Sequence, residues 1–277
     1  SMALAPFIFL ICLVSGIAYL FYVKRKEREL IEQVTPITRG EWSERRVVLK
    51  LLKAGINPKA IFHDLYIQKP NGTYTQVDVA VATKVGLIVF EVKDYSGWIF
   101  GNEEQDHWTQ CLRGKFHTTQ KHSFYNPLLQ NETHICALME LLKDDTIPYY
   151  SYVVFGNNCE LKNIQLTSGR HHVTYALYLR KDIEYHAQCT GIQLSDEKMD
   201  SLYATLVNFT EASSWQREAH IKEVQSKQYP IIQPDGTWAC PHCGGQLVRR
   251  VAQRGSRTGQ TFWGCSNYPR CHFTYQE

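Results

Sequence analysis

Asp78, Glu91 and Lys93 stand inside two apolar runs, VDVAVAT at 77–83 and LIVFEVK at 87–93, joined by a Lys-Val-Gly turn. Charge buried in a strand is costly unless it is paired or binds a metal. Strands alternate faces with period two, so Glu91 and Lys93 share a face, and Asp78 lies opposite Val77, Val79 and Val81. Pairing through the turn at 83–86 brings Asp78 and Glu91 to one spot. Two carboxylates and a backbone carbonyl make a hard oxygen cage suited to Mg²⁺ or Mn²⁺. An ion there would activate water and stabilise charge developing on a phosphate, and Lys93 could orient the water or neutralise the transition state. Glu44 or Glu41, from the preceding helix, can complete the set. The purely structural use of these residues is an ion pair of Lys93 with Asp78 or Glu91 and no metal.

A second constellation lies at the other end of the chain. Cys240, Cys243, Cys265 and Cys271 form Cys-x₂-Cys and Cys-x₅-Cys pairs separated by 21 residues. Four thiolates satisfy a tetrahedral structural Zn²⁺, without which so small a unit could hardly fold. His242 and His272 are second choices beside a complete Cys₄ set. The other cysteines have no motif spacing, and the total of nine is odd, so a reducing compartment fits better than a disulfide scaffold. Arg249, Arg250, Arg254, Arg257 and Arg270 interleave with Phe262, Trp263, Tyr268, Phe273 and Tyr275, and Glu277 is the module's only acid. Guanidinium groups bind phosphate and aromatic faces stack on unpaired bases, so Arg249, Arg250, Arg254, Arg257, Phe262, Trp263, Tyr268 and Arg270 are expected to hold single-stranded nucleic acid. The net charge of +3 is too weak to suggest this partner by itself, so the basic surface must be local.

The elements that carry these residues are legible in outline. GEWSERRVVLKLLKAG at 40–55 reads as a helix stopped by Gly55. Strands are expected near 61–67, 74–82, 87–94, 149–155 and 171–175, and a polar aromatic stretch fills 95–125. Residues 126–145 read as a helix capped by Asn126 with Pro127 first inside. A further helix follows Ser195. His171 and His172 are adjacent on a strand and point to opposite faces, so they cannot share a metal. Asp106, His107 and Trp108 could line a cleft, with packing the plainer role for Trp108, and Asp144 and Asp145 read as solvated charge. Helix, central sheet, then helices indicates an α/β or α+β core.

Residues 3–23 carry no charge and KRKER follows at 24–28. That pattern predicts a transmembrane helix whose C-terminal side is cytoplasmic. A cleaved signal peptide fits less well, because the basic residues lie on the wrong flank.

The order of an acidic helix, Asp, then Glu-Val-Lys resembles the PD-(D/E)xK nuclease superfamily, and more closely its nuclease-related domain, NERD. The resemblance rests on GEWSERRV at 40–47, QVDVAV at 76–81, GLIVFEVKDYSGWIFG at 86–101 and NPLLQN at 126–131. It implies a restriction-endonuclease-like core with a mixed sheet. Glu44, Asp78, Glu91 and Lys93 take the catalytic and Mg²⁺ positions, with Gln130 a substrate or water contact. Where the family often has Gly before the helix acid, Ser43 stands here, which leaves the choice of Glu44 or Glu41 open. CPHCGGQLVRR and FWGCSNYPRC resemble the C-terminal zinc fingers of bacterial type IA DNA topoisomerases, which implies single-stranded DNA over RNA. The expected organisation is an anchor at 1–23, a basic juxtamembrane spacer at 24–38, and a nuclease-like domain at 39–210 with its motif core at 40–155. A helical or linker segment at 211–237 and a zinc finger at 238–277 complete it. The sequence thus predicts a DNA nuclease of the bacterial inner membrane with cytoplasmic domains. The competing reading is a membrane-associated DNA tether without catalysis.

Overall fold

The structure is a computed structural model. It describes residues 4–69, 72–114, 118–189, 193–211, 221–222, 226, 229–241, 243–253, 258–268, 271 and 273–276, without the side chains of 4–8, 187 and 189. The chain divides into two compact units, residues 1–67 with 75–211, and residues 68–74 with 212–277.

The first unit opens with α1 (Leu4–Ile31) and α2 (Trp42–Lys53). Residues 1–3 of the expected span lie outside the described residues. Among the described residues, no helix is long and apolar enough to cross a membrane. The side chains of α1 from Phe9 to Tyr22 are nevertheless largely exposed and mostly apolar. α2 is followed by Gly55, whose φ of +88° suits a glycine just past a helix end, and the helix buries Val47, Val48 and Leu51.

Three strands follow, β1 (Ile61–Gln68), β2 (Tyr74–Thr83) and β3 (Gly86–Lys93). The polar, aromatic stretch 95–125 forms β4 (Gly97–Asn102), β5 (His107–Arg113) and β6 (Thr119–Tyr125). Next come α3 (Pro127–Leu142), β7 (Tyr149–Phe155), β8 (Cys159–Gln165), β9 (His171–Tyr175), α4 (Leu179–Cys189) and α5 (Asp196–Leu206). Asn126 and Ser195 cap α3 and α5 through Leu128 N–H and Lys198 N–H.

The main sheet has the order β1-β2-β3-β7-β9. β2 and β3 are antiparallel, whereas β3–β7 and β7–β9 are parallel, so the sheet is mixed, as expected. One face packs on α3 and α5, where Phe62, Leu65, Val77, Val89, Leu138, Leu202 and Leu206 form one cluster. The other packs on α2 and α4, where Val48, Leu51, Val79, Val81, Phe90 and Leu179 form a second. A second sheet, β6-β5-β4-β8, encloses Ile99, Trp108, Val153 and Phe155.

The simple alternation expected of β2 is corrected by the structure. Thr75 and Val77 face α3, but Val79 and Val81 face α2. The face change falls at Asp78. β1 does the same at Asp64: His63 reaches α2, whereas Leu65 and Ile67 join the α3 side. Asp64 sits at φ +59°, a left-handed backbone that Asp tolerates better than most residues. Arg39 Nε (2.9 Å) and Gln76 Nε2 (2.7 Å) donate to its carboxylate.

The second unit holds β10 (Ile231–Ile232), β11 (Trp238–Ala239), β12 (Leu247–Val251), β13 (Thr261–Cys265) and β14 (Thr274–Tyr275). The end of the segment expected at 211–237 is therefore partly ordered: β10 and β11 pair across a turn at Asp235 and Gly236. Most of 212–228 lies outside the described residues.

Candidate active site and zinc finger

Asp78 lies just past the last pair of the β2–β3 ladder, Val79↔Phe90. Its Oδ2 accepts the Val92 N–H at 2.8 Å, so the carboxylate takes over a donor the ladder leaves free. Glu91 is almost fully buried. Its Oε1 pairs with Lys93 Nζ at 2.6 Å, and its Oε2 accepts from His134 Nε2 at 2.9 Å. Lys93 Nζ also donates to Gln130 Oε1 at 3.0 Å. Asp78, Glu91, Lys93 and Gln130 are thus brought together, from β2, β3 and α3.

Glu44 is buried in the first turn of α2, whereas Glu41 is exposed at its N-cap. Glu44 Oε2 accepts from the Glu41 backbone N–H (3.2 Å) and from His63 Nε2 (3.0 Å). Of the two acids left open by sequence, Glu44 is the one whose charge reaches Asp78.

The electrostatics is lopsided. Burial raises the Asp78 pKa well above the ordinary carboxylate value, and the Glu91 and Glu44 charges push it further. Burial also opposes ionisation of Glu91, but the Lys93 charge and the His134 hydrogen bond outweigh it and lower its pKa. Lys93 is raised: burial works against the ammonium, and the Glu91 carboxylate overcomes it. Lys93 is therefore held as a cation at neutral pH.

Hard oxygen donors suit a divalent cation, and the Glu91 and Glu44 charges add to the burial that raises the Asp78 pKa. The fit is looser than at the cysteines. Among the described residues, the four cysteines are the one group of three or more ligand atoms lying within 4.8 Å of one another.

Several participants had no sequence signal. His134 Nδ1 meets Thr75 Oγ1 at 2.7 Å, and His63 Nδ1 meets Thr35 Oγ1 at 2.9 Å. The partners are far apart in the chain, so no local spacing marks them. Other candidates lie elsewhere. Trp108 is fully buried, stacks on Phe155 and donates to Asn102 O. The Asp106 carbonyl accepts the Asn126 N–H, and the His107 ring lies edge-on to Tyr125. His171 pairs with Glu132 at 3.0 Å while His172 stacks on Tyr152, on opposite faces as expected. Asp144 is more than solvated charge: hydrogen bonds from Lys198 and Thr146 hold its pKa down at about 2.

In the finger, the Sγ atoms of Cys240 and Cys271 lie 3.6 Å apart, and those of Cys243 and Cys265 3.4 Å. A tetrahedral Zn²⁺ with Zn–S of about 2.3 Å requires S···S of about 3.8 Å, so the cluster is shaped for zinc. Leu247 and Phe273 pack around the thiols, flanked by Trp238, Trp263 and Tyr275. Several of the aromatics thus build the core. The Arg249 guanidinium lies 5.4 Å from the Trp263 ring centre. Arg250 lies 5.8 Å from that of Tyr268 and donates to Cys265 O. Phe262 is half-buried and Tyr268 exposed. Arg254, Arg257, Arg270, His242, His272 and Glu277 lie outside the described residues.

A family model of the nuclease-related domain matches residues 39–156, and one of the topoisomerase DNA-binding C4 zinc finger matches residues 238–277. An uncharacterized protein of Bacillus anthracis is 31% identical over 200 residues, covering 72% of this chain and 89% of that protein. DNA topoisomerase 1 of Archaeoglobus fulgidus is 57% identical over 35 residues, which are 13% of this chain and 5% of the topoisomerase. The Pyrococcus furiosus enzyme is 47% identical over 36 residues, 13% and 3% of the two chains. No solved structure matches the chain.

Proposed function

Because this chain belongs to the nuclease-related domain family, we propose that it is a metal-dependent DNA nuclease whose zinc finger holds single-stranded DNA. The observation that carries the reading is the gathering of Asp78, Glu91, Lys93 and Gln130 at the end of the β2–β3 ladder, with the Glu44 charge acting on Asp78. Asp78 and Glu91 would hold Mg²⁺ or Mn²⁺, with Glu44 in support. Once bound, the ion would supply the positive charge that phosphodiester hydrolysis needs at the scissile phosphate. Lys93 is a fixed cation, so it serves to orient the attacking water and to stabilise charge on the phosphoryl oxygens. Gln130 holds Lys93 and offers an amide N–H to water or substrate. A restriction-endonuclease-like core is the fold this reading implies.

The finger would supply affinity through arginines on phosphates and aromatic faces on bases. The nuclease-like domain at 39–210 would supply the chemistry, and the connection between them would raise the local concentration of DNA. An anchor at residues 3–23 in the bacterial inner membrane, with both domains cytoplasmic, is proposed from the uncharged run, the basic cluster after it and the exposed apolar side chains.

The competing reading, a tether without catalysis, is favoured by one observation: both oxygens of Glu91 are engaged by Lys93 and His134. One assay separates the two. Zinc-loaded protein is incubated with labelled single- and double-stranded DNA and Mg²⁺ or Mn²⁺, beside an Asp78→Ala control. Metal-dependent cutting that disappears in the control supports the nuclease. Folded protein that binds DNA and never cuts supports the tether.

A further inference from the structure

We propose that Thr35, His63, Thr75 and His134 are positioning residues, forming two buried Thr–His–Glu relays that aim Glu44 and Glu91 at the metal. The inference rests on the metal-dependent reading above.

The two chains have the same construction. In the first, Thr35 Oγ1, His63 Nδ1, His63 Nε2 and Glu44 Oε2 follow one another at 2.9 and 3.0 Å. In the second, Thr75 Oγ1, His134 Nδ1, His134 Nε2 and Glu91 Oε2 follow at 2.7 and 2.9 Å. All six residues are buried, none more than 6% exposed. The first relay uses the loop after α1, then β1 and α2. The second uses β2, α3 and β3. Different elements on opposite layers of the sheet thus arrive at one arrangement, and both carboxylates act on Asp78.

The hydrogen inventory fixes the roles. A carboxylate can only accept, so Nε2 of each imidazole carries the proton and donates it. In the neutral ring, Nδ1 is then an acceptor, and the threonine hydroxyl is its donor. Each glutamate is thereby held by Oε2, while Oε1 of Glu91 meets Lys93 Nζ at 2.6 Å. Oriented partners of this kind fix the geometry of metal ligands. Buried polar triads seldom add stability over well-packed apolar residues, so two of them at one site are better explained by what they position. The backbone is shaped around the first: a Cβ on Gly40 would lie 2.5 Å from Glu44 Oε2 and 2.6 Å from the His63 ring.

Two measurements on the full zinc-loaded chain test this. Long-range proton–nitrogen spectra, assigned with His63→Gln and His134→Gln, should show both rings as the Nε2–H tautomer. An Nδ1–H ring would place a lone pair on the glutamate and overturn the proposal. Mn²⁺ binding is then followed by electron paramagnetic resonance, without substrate. Thr75→Val should weaken it by about 10–100-fold, and Thr75→Ser should restore it. Mn²⁺ affinity unchanged in Thr75→Val, in protein that loses Mn²⁺ on Asp78→Ala, would overturn the relays and leave the metal site standing. Wild-type protein that binds no Asp78-dependent Mn²⁺ would overturn the metal reading and the relays together.

Discussion

Replacing Asp78 by Asn removes the charge that burial, Glu91 and Glu44 oppose, while keeping an oxygen for the Val92 N–H. An acid whose pKa is higher folded than unfolded gives up stability as pH rises from its unfolded value, about 3.9, toward the folded one. At neutral pH and without divalent metal, Asp78→Asn should therefore be more stable than wild type. The shift would follow the scale of about 2–4 °C per kcal/mol for a domain of this size, read by calorimetry in EDTA. Added Mg²⁺ should raise the wild-type Tm by mass action and leave the variant's unchanged. Gly40 gives a second test. Its φ of +62° and the blocked Cβ position make Gly40→Ala unfavourable twice over. A loss of more than about 1 kcal/mol is expected in urea unfolding. At this scale the sequence was partly legible. Asp78, Glu91 and Lys93 are conspicuous because charge stands in apolar runs, and Cys240, Cys243, Cys265 and Cys271 because of spacing. Thr35, His63, Thr75 and His134 were silent, since their meaning lies in partners 19–59 residues away.

Elements whose burial follows a period were read well. β7 and β9 fall at the expected residues, and α3 and α5 begin directly after Asn126 and Ser195. β6 was missed because TQKHSFY is exposed along nearly its whole length, so no alternation betrays it. β4 carries Gly97 and Gly101, which blur strand propensity; Gly101 is bare because the Trp108 ring lies where its Cβ would be. Among its described side chains, α4 buries only Leu179, Ile183 and His186, too thin a stripe to mark a helical period. In the finger, β12 places Arg249 and Arg250 on opposite faces, across from Trp263 and Phe262. If both faces touch the DNA backbone, Arg249→Ala and Arg250→Ala should each lower the salt slope of single-strand binding by about 0.7–1. A single affected arginine would identify the face that DNA uses.

At the scale of the whole molecule, the two sites call for ions of opposite character, soft thiolate ligands for zinc and hard carboxylates for magnesium. Cys265→Ser should unfold the finger, where zinc binding and folding share about 10–16 kcal/mol. DNA affinity should fall, while the thermal transition of the larger unit stays in place. Calorimetry beside a gel-shift assay reads both. The face changes at Asp64 and Asp78 bear on how that larger unit works. A sheet ordinarily insulates the helices on one side from those on the other, since its strands present alternate residues to each. Here two neighbouring strands reset their phase, and the barrier has a seam. Through it Glu44, carried by α2, acts on the same carboxylate as Glu91, which α3 grips from behind through His134. A change in the seating of α2 is therefore felt electrically at a centre whose other half belongs to α3.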